Sequence, residues 1–304
     1  MNNMNNMNIA DFEKKVNFLL TKRKMMPSKK IGLKAWCKYF MAFAWTEHCK
    51  CGDGHEMLDI LLNEDNLIGG EKFNTTFILK FEDLYPEALK NNKTWQRLLP
   101  ALVGFKGKGL GVGELYLALV IQGWTFERTG GKGDGKVAGG IRELKNNGAS
   151  LKPLANAVRV QDQLNLTVFE GHRAGPTKET KRTKGQCFSK WLSWFDTNTN
   201  KKEILLTYFT QLYPGRDVTT LVSELLTKRS ADDFYRTIGK SVLAWYKEVD
   251  NWDSLVIIDQ DKMKMVNIAD TDDLSLFSKL KFDWKSERGH DSQAISDGYV
   301  NISI

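Results

Sequence analysis

Apolar residues recur at helical spacing from Ile9 to about Lys24, where Ile9, Phe12, Val16, Phe18, Leu19 and Leu20 are set among charged positions and predict an amphipathic helix. Asp11 near its front and Lys and Arg at its end suit the helix dipole. An aromatic-rich helical pattern follows from Ile31 to about Thr46, and a third, His55 to Leu62, comes after a Gly-Asp-Gly turn. Thr75 to Leu79 reads as a short strand. Gly104 to Gly113, GFKGKGLGVG, is the sharpest break in composition and predicts a tightly turning loop. Behind it, Val112 to Gln122 has a helical pattern closed by Gly123. Trp124 to Arg128 then reads as a strand, and Gly135 to Lys145 as a hairpin turning around Ala138, Gly139 and Gly140. Helices return from Pro153 to about Lys247, interrupted at Gly171 to Gly185 by a turn-rich basic segment. Ser254 to Asp259 and Met263 to Ile268 read as two strands joined by a tight turn, and Gly298 to Ile304 ends on a strand-like alternation. No repeat recurs at a fixed period. The order of elements predicts an α/β protein in the α+β sense, whose first hundred residues are mostly helical.

Composition narrows the class. With 304 residues, 41% hydrophobic and 27% charged, the chain has the material for a substantial core. No run approaches the roughly 18 apolar residues that a membrane helix needs. Met1 to Asn8 is low-complexity Asn and Met, expected to be a disordered leader without the features of a secretory signal. An intracellular, cytoplasmic protein with reduced thiols is therefore expected, since Cys37, Cys49, Cys51 and Cys187 lack the dense pairing of a secreted scaffold. The 44 basic against 37 acidic residues give a charge of +7 and a pI near 9.0, which is compatible with a polyanionic partner.

The candidate chemistry lies between Gly111 and Lys145. Glu114 stands near the start of a helix, Asp134 at the mouth of the hairpin, and Glu143 and Lys145 two residues apart on its return strand, hence on one face. Residues facing each other across an antiparallel pair lie about 5 Å apart, so Asp134 and Glu143 can stand side by side. Such a pair suits Mg²⁺, or Mn²⁺, which takes one or two carboxylates together with waters and substrate phosphate. An ammonium at Lys145 would stabilise charge developing on a phosphate or orient the attacking water. Taken singly, each of these residues is also an ordinary strand, turn or helix-surface residue.

The segments GVGE at Gly111 to Glu114, GDG at Gly133 to Gly135 and ELK at Glu143 to Lys145, in that order, resemble the PD-(D/E)XK nuclease superfamily. In that superfamily a core helix carries an acid and a hairpin carries Asp followed by Glu-x-Lys. The resemblance implies a restriction-endonuclease-like mixed sheet flanked by helices. Its core would span residues 101–153 and 248–304, with 154–247 inserted as a helical subdomain and 1–100 as a helical N-terminal region. It further implies a Mg²⁺-dependent DNA endonuclease in which Asp134, Glu143 and the Leu144 carbonyl hold the metal, Lys145 assists the water, and Glu114 supports the metal or its water. The alternative is a non-catalytic DNA-binding or phage structural protein that keeps the fold. Asn and Lys usage hints at an AT-rich, phage-encoded origin in a bacterial host. A homodimer is the arrangement that suits cutting both strands of a symmetric site.

Basic residues around these acids fit a DNA backbone: Arg128, Lys132, Lys136 and Arg142 near the hairpin, and Lys106 and Lys108 in the glycine-rich loop. Lys178, Lys181, Arg182, Lys184 and Lys190 form a second basic run, which could equally be a solvated loop. GGKGDGKV at Gly130 to Val137 falls short of a Walker A loop, because Val137 stands where a hydroxyl should hold Mg²⁺ and Asp134 would repel the phosphates. His48, Cys49, Cys51 and His55 are potential zinc ligands, but the C-x-C spacing is tight for a knuckle and an incidental grouping is the expectation. Trp191, Trp194, Trp245 and Trp252 are expected in the core rather than as stacking platforms.

Overall fold

The structure, a computed structural model, describes residues 9–24, 40–46, 54–106, 111–126, 133–151, 153, 158–159, 192–193, 195–285, 295–296 and 299–304. Its strands are β1 (Phe77–Lys80), β2 (Thr125–Phe126), β3 (Gly135–Val137), β4 (Gly140–Asn146), β5 (Ala149–Leu151), β6 (Val158–Arg159), β7 (Ser254–Asp259), β8 (Lys264–Ile268), β9 (Lys281–Lys285), β10 (Ile295–Ser296) and β11 (Tyr299–Ser303). The fold is mixed α/β. The chain divides into two compact units, Met1–Asn147 with Trp252–Asp270, and Gly148–Asn251 with Thr271–Ile304. These limits differ from those expected: residues 1–100 share a unit with the hairpin, and Thr271–Ile304 belongs with residues 148–251 rather than with the expected core.

The first unit is built on a six-stranded sheet in the order β1-β8-β7-β4-β3-β2. β4 and β7 run parallel, and the other neighbours are antiparallel. A parallel pair needs a long crossover connection, and here residues 148–251 supply it. The register follows from apolar content: β7, SLVIID, is buried along its whole length, as expected of a strand covered on both faces. Leu144, Val256, Ile258 and Met265 point to one face, where they share a core with Leu115, Tyr116, Leu117 and Leu119 of the helix Glu114–Val120. The helix Ile9–Lys22 joins the same core through Phe12, Val16, Leu19 and Leu20, its apolar stripe. On the opposite face Leu255, Ile257, Val266 and Ile268 are equally buried. The helix Lys93–Val103 starts where Asn92 accepts the Trp95 backbone N–H at 2.7 Å.

In the second unit the helices Lys201–Leu212, Thr219–Leu225 and Ala231–Asp250 accompany a three-stranded sheet, β5-β11-β9, and the short pair β10-β6. The long helix is capped at its front by Ser230, whose hydroxyl accepts the Asp233 N–H at 3.1 Å, and ends at Asn251 in the left-handed conformation. Gly239 lets it approach β9 closely, since a Cβ there would lie 2.2 Å from the Phe282 ring. Among the described residues no helix is long and apolar enough to cross a membrane.

Candidate functional site

The β3–β4 hairpin sets the site. Ala138 (φ 49°) and Gly139 (φ 80°) both have positive φ and connect Val137 to its partner Gly140 in two residues, the geometry of a tight hairpin turn. The ladder ends where Gly135 pairs with Arg142, and Asp134 lies just before it. Asp134 donates its N–H to the Arg142 carbonyl at 2.8 Å, and its Oδ2 accepts the Leu144 N–H at 2.9 Å. Just before it, Gly133 (φ 70°) has no room for a side chain, because a Cβ would come within 2.9 Å of the Arg142 carbonyl oxygen. Lys145 Nζ and Glu143 Oε1 form an ion pair on one strand face. Glu143 is buried at 7% exposure, whereas the Lys145 side chain is 26% exposed. Lys136 pairs with Ile141, so alternation along β4 puts the exposed Lys136 on the same face as Glu143 and Lys145.

Glu114, Arg142 and Leu144 are placed as follows. Gly113, at φ 81°, packs so tightly on β7 that a Cβ would lie 2.1 Å from Ile258 Cδ1, and Ile258 belongs to the face away from Glu143 and Lys145. Glu114, the next residue, accepts the Gly111 N–H at 2.9 Å and ties the end of the glycine-rich loop. Among the described residues no three His, Cys, Asp or Glu side chains gather in a way that could hold a metal. Arg142 does not belong to a basic surround: neighbours in a strand point oppositely, and it is buried at 1% exposure on the core face. There it donates to Ser254 Oγ at 3.1 Å, Asn74 Oδ1 at 2.6 Å and the Val137 carbonyl at 3.1 Å. Burial lowers its pKa, against the opposing pull of Asp253. Leu144, the expected carbonyl ligand, lies between Glu143 and Lys145 and is held from both sides, by Asp134 and by pairing with Val256.

Lys106 is exposed, as a backbone-gripping residue must be. Lys108, Arg128, Lys132, Lys178, Lys181, Arg182, Lys184 and Lys190 lie outside the described residues, as do His48, Cys49, Cys51, Trp191 and Trp194. His55 opens the helix Gly54–Leu62, with Nδ1 3.4 Å from Lys15 Nζ and its ring edge-on to Phe12. Trp245 and Trp252 are buried.

Two positioning residues escape sequence reasoning. Asp253 accepts the Ile141 N–H at 2.7 Å, and Asn147 donates to Asp259 Oδ2 at 2.8 Å, which pins both ends of the parallel β4–β7 pair. Each contact joins residues 112 apart, so no local pattern announces it. No family model, characterised protein or solved structure matches the chain.

Proposed function

We propose that the chain is a Mg²⁺-dependent DNA endonuclease of the PD-(D/E)XK type, with Asp134, Glu143 and the Leu144 carbonyl as the metal-holding groups and Lys145 as the ammonium at the reacting phosphate. One observation carries this reading: Asp134 Oδ2 accepts the N–H of Leu144, the residue between Glu143 and Lys145, while Lys145 pairs with Glu143 on the same strand. Carboxylates are the hard oxygen donors that Mg²⁺ or Mn²⁺ takes, the remaining positions going to water and phosphate. When bound, such an ion supplies an acidified water and offsets phosphate charge. The chain's own groups do the positioning. Asp134 is anchored by the Leu144 N–H, Glu143 is held by the lysine, and the ammonium stands where negative charge would build up. Lys136, exposed on the same face, and Lys106 supply phosphate contacts. The substrate class rests on the basic balance of the chain, and an intracellular setting in a phage-infected bacterium suits its composition.

A second reading, a DNA-binding or phage structural protein without turnover, draws support from the position of Glu114, which is tied to Gly111 instead of completing a trio of acids. Cleavage of duplex DNA with Mg²⁺ separates the two. The nuclease reading expects cutting by the wild type and a loss of about 100-fold or more in Glu143→Gln and Lys145→Ala, with DNA affinity retained. Undiminished cutting by both variants would place the chemistry elsewhere. Salt-sensitive binding with no cutting by any form would favour the second reading.

A further inference from the structure

Burying Arg142 is costly. Its side chain lies on the core face of β4, and among the described residues no carboxylate is in ion-pair range of it, Asp253 pulling only from beyond that range. A buried guanidinium bonded to neutral groups alone costs more to fold than an apolar side chain of similar volume. What it supplies instead is geometry, since a planar fork of five donors can fix several acceptors at once. Here the acceptors come from three separate elements: the Val137 carbonyl of β3 at 3.1 Å, Ser254 Oγ of β7 at 3.1 Å, and Asn74 Oδ1 of the helical turn Gly70–Asn74 at 2.6 Å. The surroundings are shaped to it. A Cβ at Gly140 would lie 2.7 Å from Arg142 Nη2, and a Cβ at Gly70 would hold the turn off the hairpin, 2.3 Å from Val137 Cγ2. The backbone of the same residue enters the candidate site, because its carbonyl accepts the Asp134 N–H at 2.8 Å and Glu143 follows it in β4.

We propose that Arg142 is a positioning residue of the candidate site, holding from the core face the strand whose other face carries Glu143 and Lys145. The inference rests on the reading of Asp134 and Glu143 as metal-holding groups. With the side chain pinned to β3, β7 and the turn, the Arg142 carbonyl is fixed, Asp134 stays bonded to it, and the Asp134 carboxylate stays on the Leu144 N–H. Removing any of the three acceptors frees the hairpin to shift against β7 and draws Asp134 away from the strand that carries Glu143. Arg142 is too deeply buried to meet substrate or metal, so its effect is on where the acids stand.

The test compares three variants of the full chain: Arg142→Lys, which keeps the charge but not the fork, and Ser254→Ala and Asn74→Ala, which each remove one acceptor. Asn74 is exposed, so Asn74→Ala carries the test even if Arg142→Lys does not fold. Amide hydrogen exchange is measured without metal, and Mg²⁺-dependent cleavage is split into kcat and KM. The Asp134 and Leu144 amides are expected to exchange about tenfold faster in each variant, with the Val16 and Leu19 amides of the helix Ile9–Lys22 unchanged. Over the same variants kcat is expected to fall about tenfold at an unchanged KM for DNA. Equal acceleration at all four amides would make Arg142 a stability residue only and overturn the inference, as would unaltered exchange at Asp134 and Leu144, or kcat unaltered in every variant. A wild type that does not cut while those two amides respond as expected sinks the nuclease reading and leaves the positioning role standing.

Discussion

The Asp134 carboxylate accepts the backbone N–H of Leu144 at 2.9 Å, across the hairpin from the strand that carries Glu143 and Lys145. The bond fixes the acid and the strand to one another, so charge and architecture can be separated by substitution. Asp134→Asn keeps an acceptor and removes the charge, and is expected to leave stability nearly unchanged while cleavage falls about 100-fold or more. Asp134→Ala removes the acceptor as well and is expected to cost about 1–2 kcal/mol, because the Leu144 N–H lies in a buried stretch. Urea unfolding read beside a cleavage assay distinguishes the two effects. An Asn variant that cuts normally would remove Asp134 from the site.

Glu143 and Lys145 form an ion pair in which the acid is buried and the lysine only partly so. Removing the ammonium by Lys145→Met leaves a buried carboxylate without that counter-charge. The expected cost is about 1–3 kcal/mol, below the range for a fully buried pair because water reaches Lys145. The double variant Glu143→Gln, Lys145→Met no longer buries a charge and is expected to recover most of the loss. A double-mutant cycle by denaturant unfolding measures the coupling, and simple additivity would show that the pair contributes nothing to stability.

Local pattern made much of this fold legible and non-local pairing made the rest opaque. The stripe Phe12, Val16, Leu19 and Leu20, the continuous apolar run of β7 and the positive-φ turn at Ala138-Gly139 were each readable from residue type and spacing. The parallel alignment of β4 on β7 was not, because its contacts join residues 112 apart. Arg142 was misread as part of a basic surround for want of one step of strand alternation, which sends it to the core while its neighbour Glu143 faces the site. Glu114 lies near the hairpin in sequence, yet its helix packs on the other sheet face, a choice that order along the chain does not encode. The strand β9, with the short alternation Lys-Phe-Asp-Trp-Lys, was missed because five residues carry little periodicity.

Tyr85 and Tyr116 share a buried hydroxyl–hydroxyl hydrogen bond. Burial raises the ionisation of both phenols above the ordinary value of 10.0, and for Tyr85 the neighbouring Tyr116 adds to the shift. A neutral phenol is thus favoured by the folded state. The stability this contributes is fully present below pH 10, and falls as pH rises past it, because the unfolded chain then ionises while the folded chain does not. Unfolding free energy measured from pH 8 upward should decline above about pH 10. Tyr85→Phe with Tyr116→Phe should weaken that decline at modest cost near neutrality, since removing both partners strands no hydroxyl. The single variant Tyr85→Phe leaves the Tyr116 hydroxyl without this partner and should be the less stable of the two. An alkaline profile unaltered by the double variant would assign the decline to other groups.

Gly113 joins the glycine-rich loop to the helix that begins at Glu114, and two independent constraints act on it. Its φ of 81° disfavours any L side chain, and a Cβ would lie 2.1 Å from Ile258 Cδ1, well inside contact distance. Gly113→Ala is therefore expected to cost about 2–4 kcal/mol, combining backbone strain with overpacking against β7. The paired variant Gly113→Ala, Ile258→Val removes the methyl group that would be struck and leaves only the backbone term. It should therefore be more stable than Gly113→Ala alone, although Ile258→Val by itself is destabilising by about 0.5–1.5 kcal/mol. Equilibrium unfolding of the three variants checks this reversal of sign. If the two substitutions instead add as independent losses, the helix start is not in contact with β7 and the placement of Glu114 away from the Glu143 face loses its support.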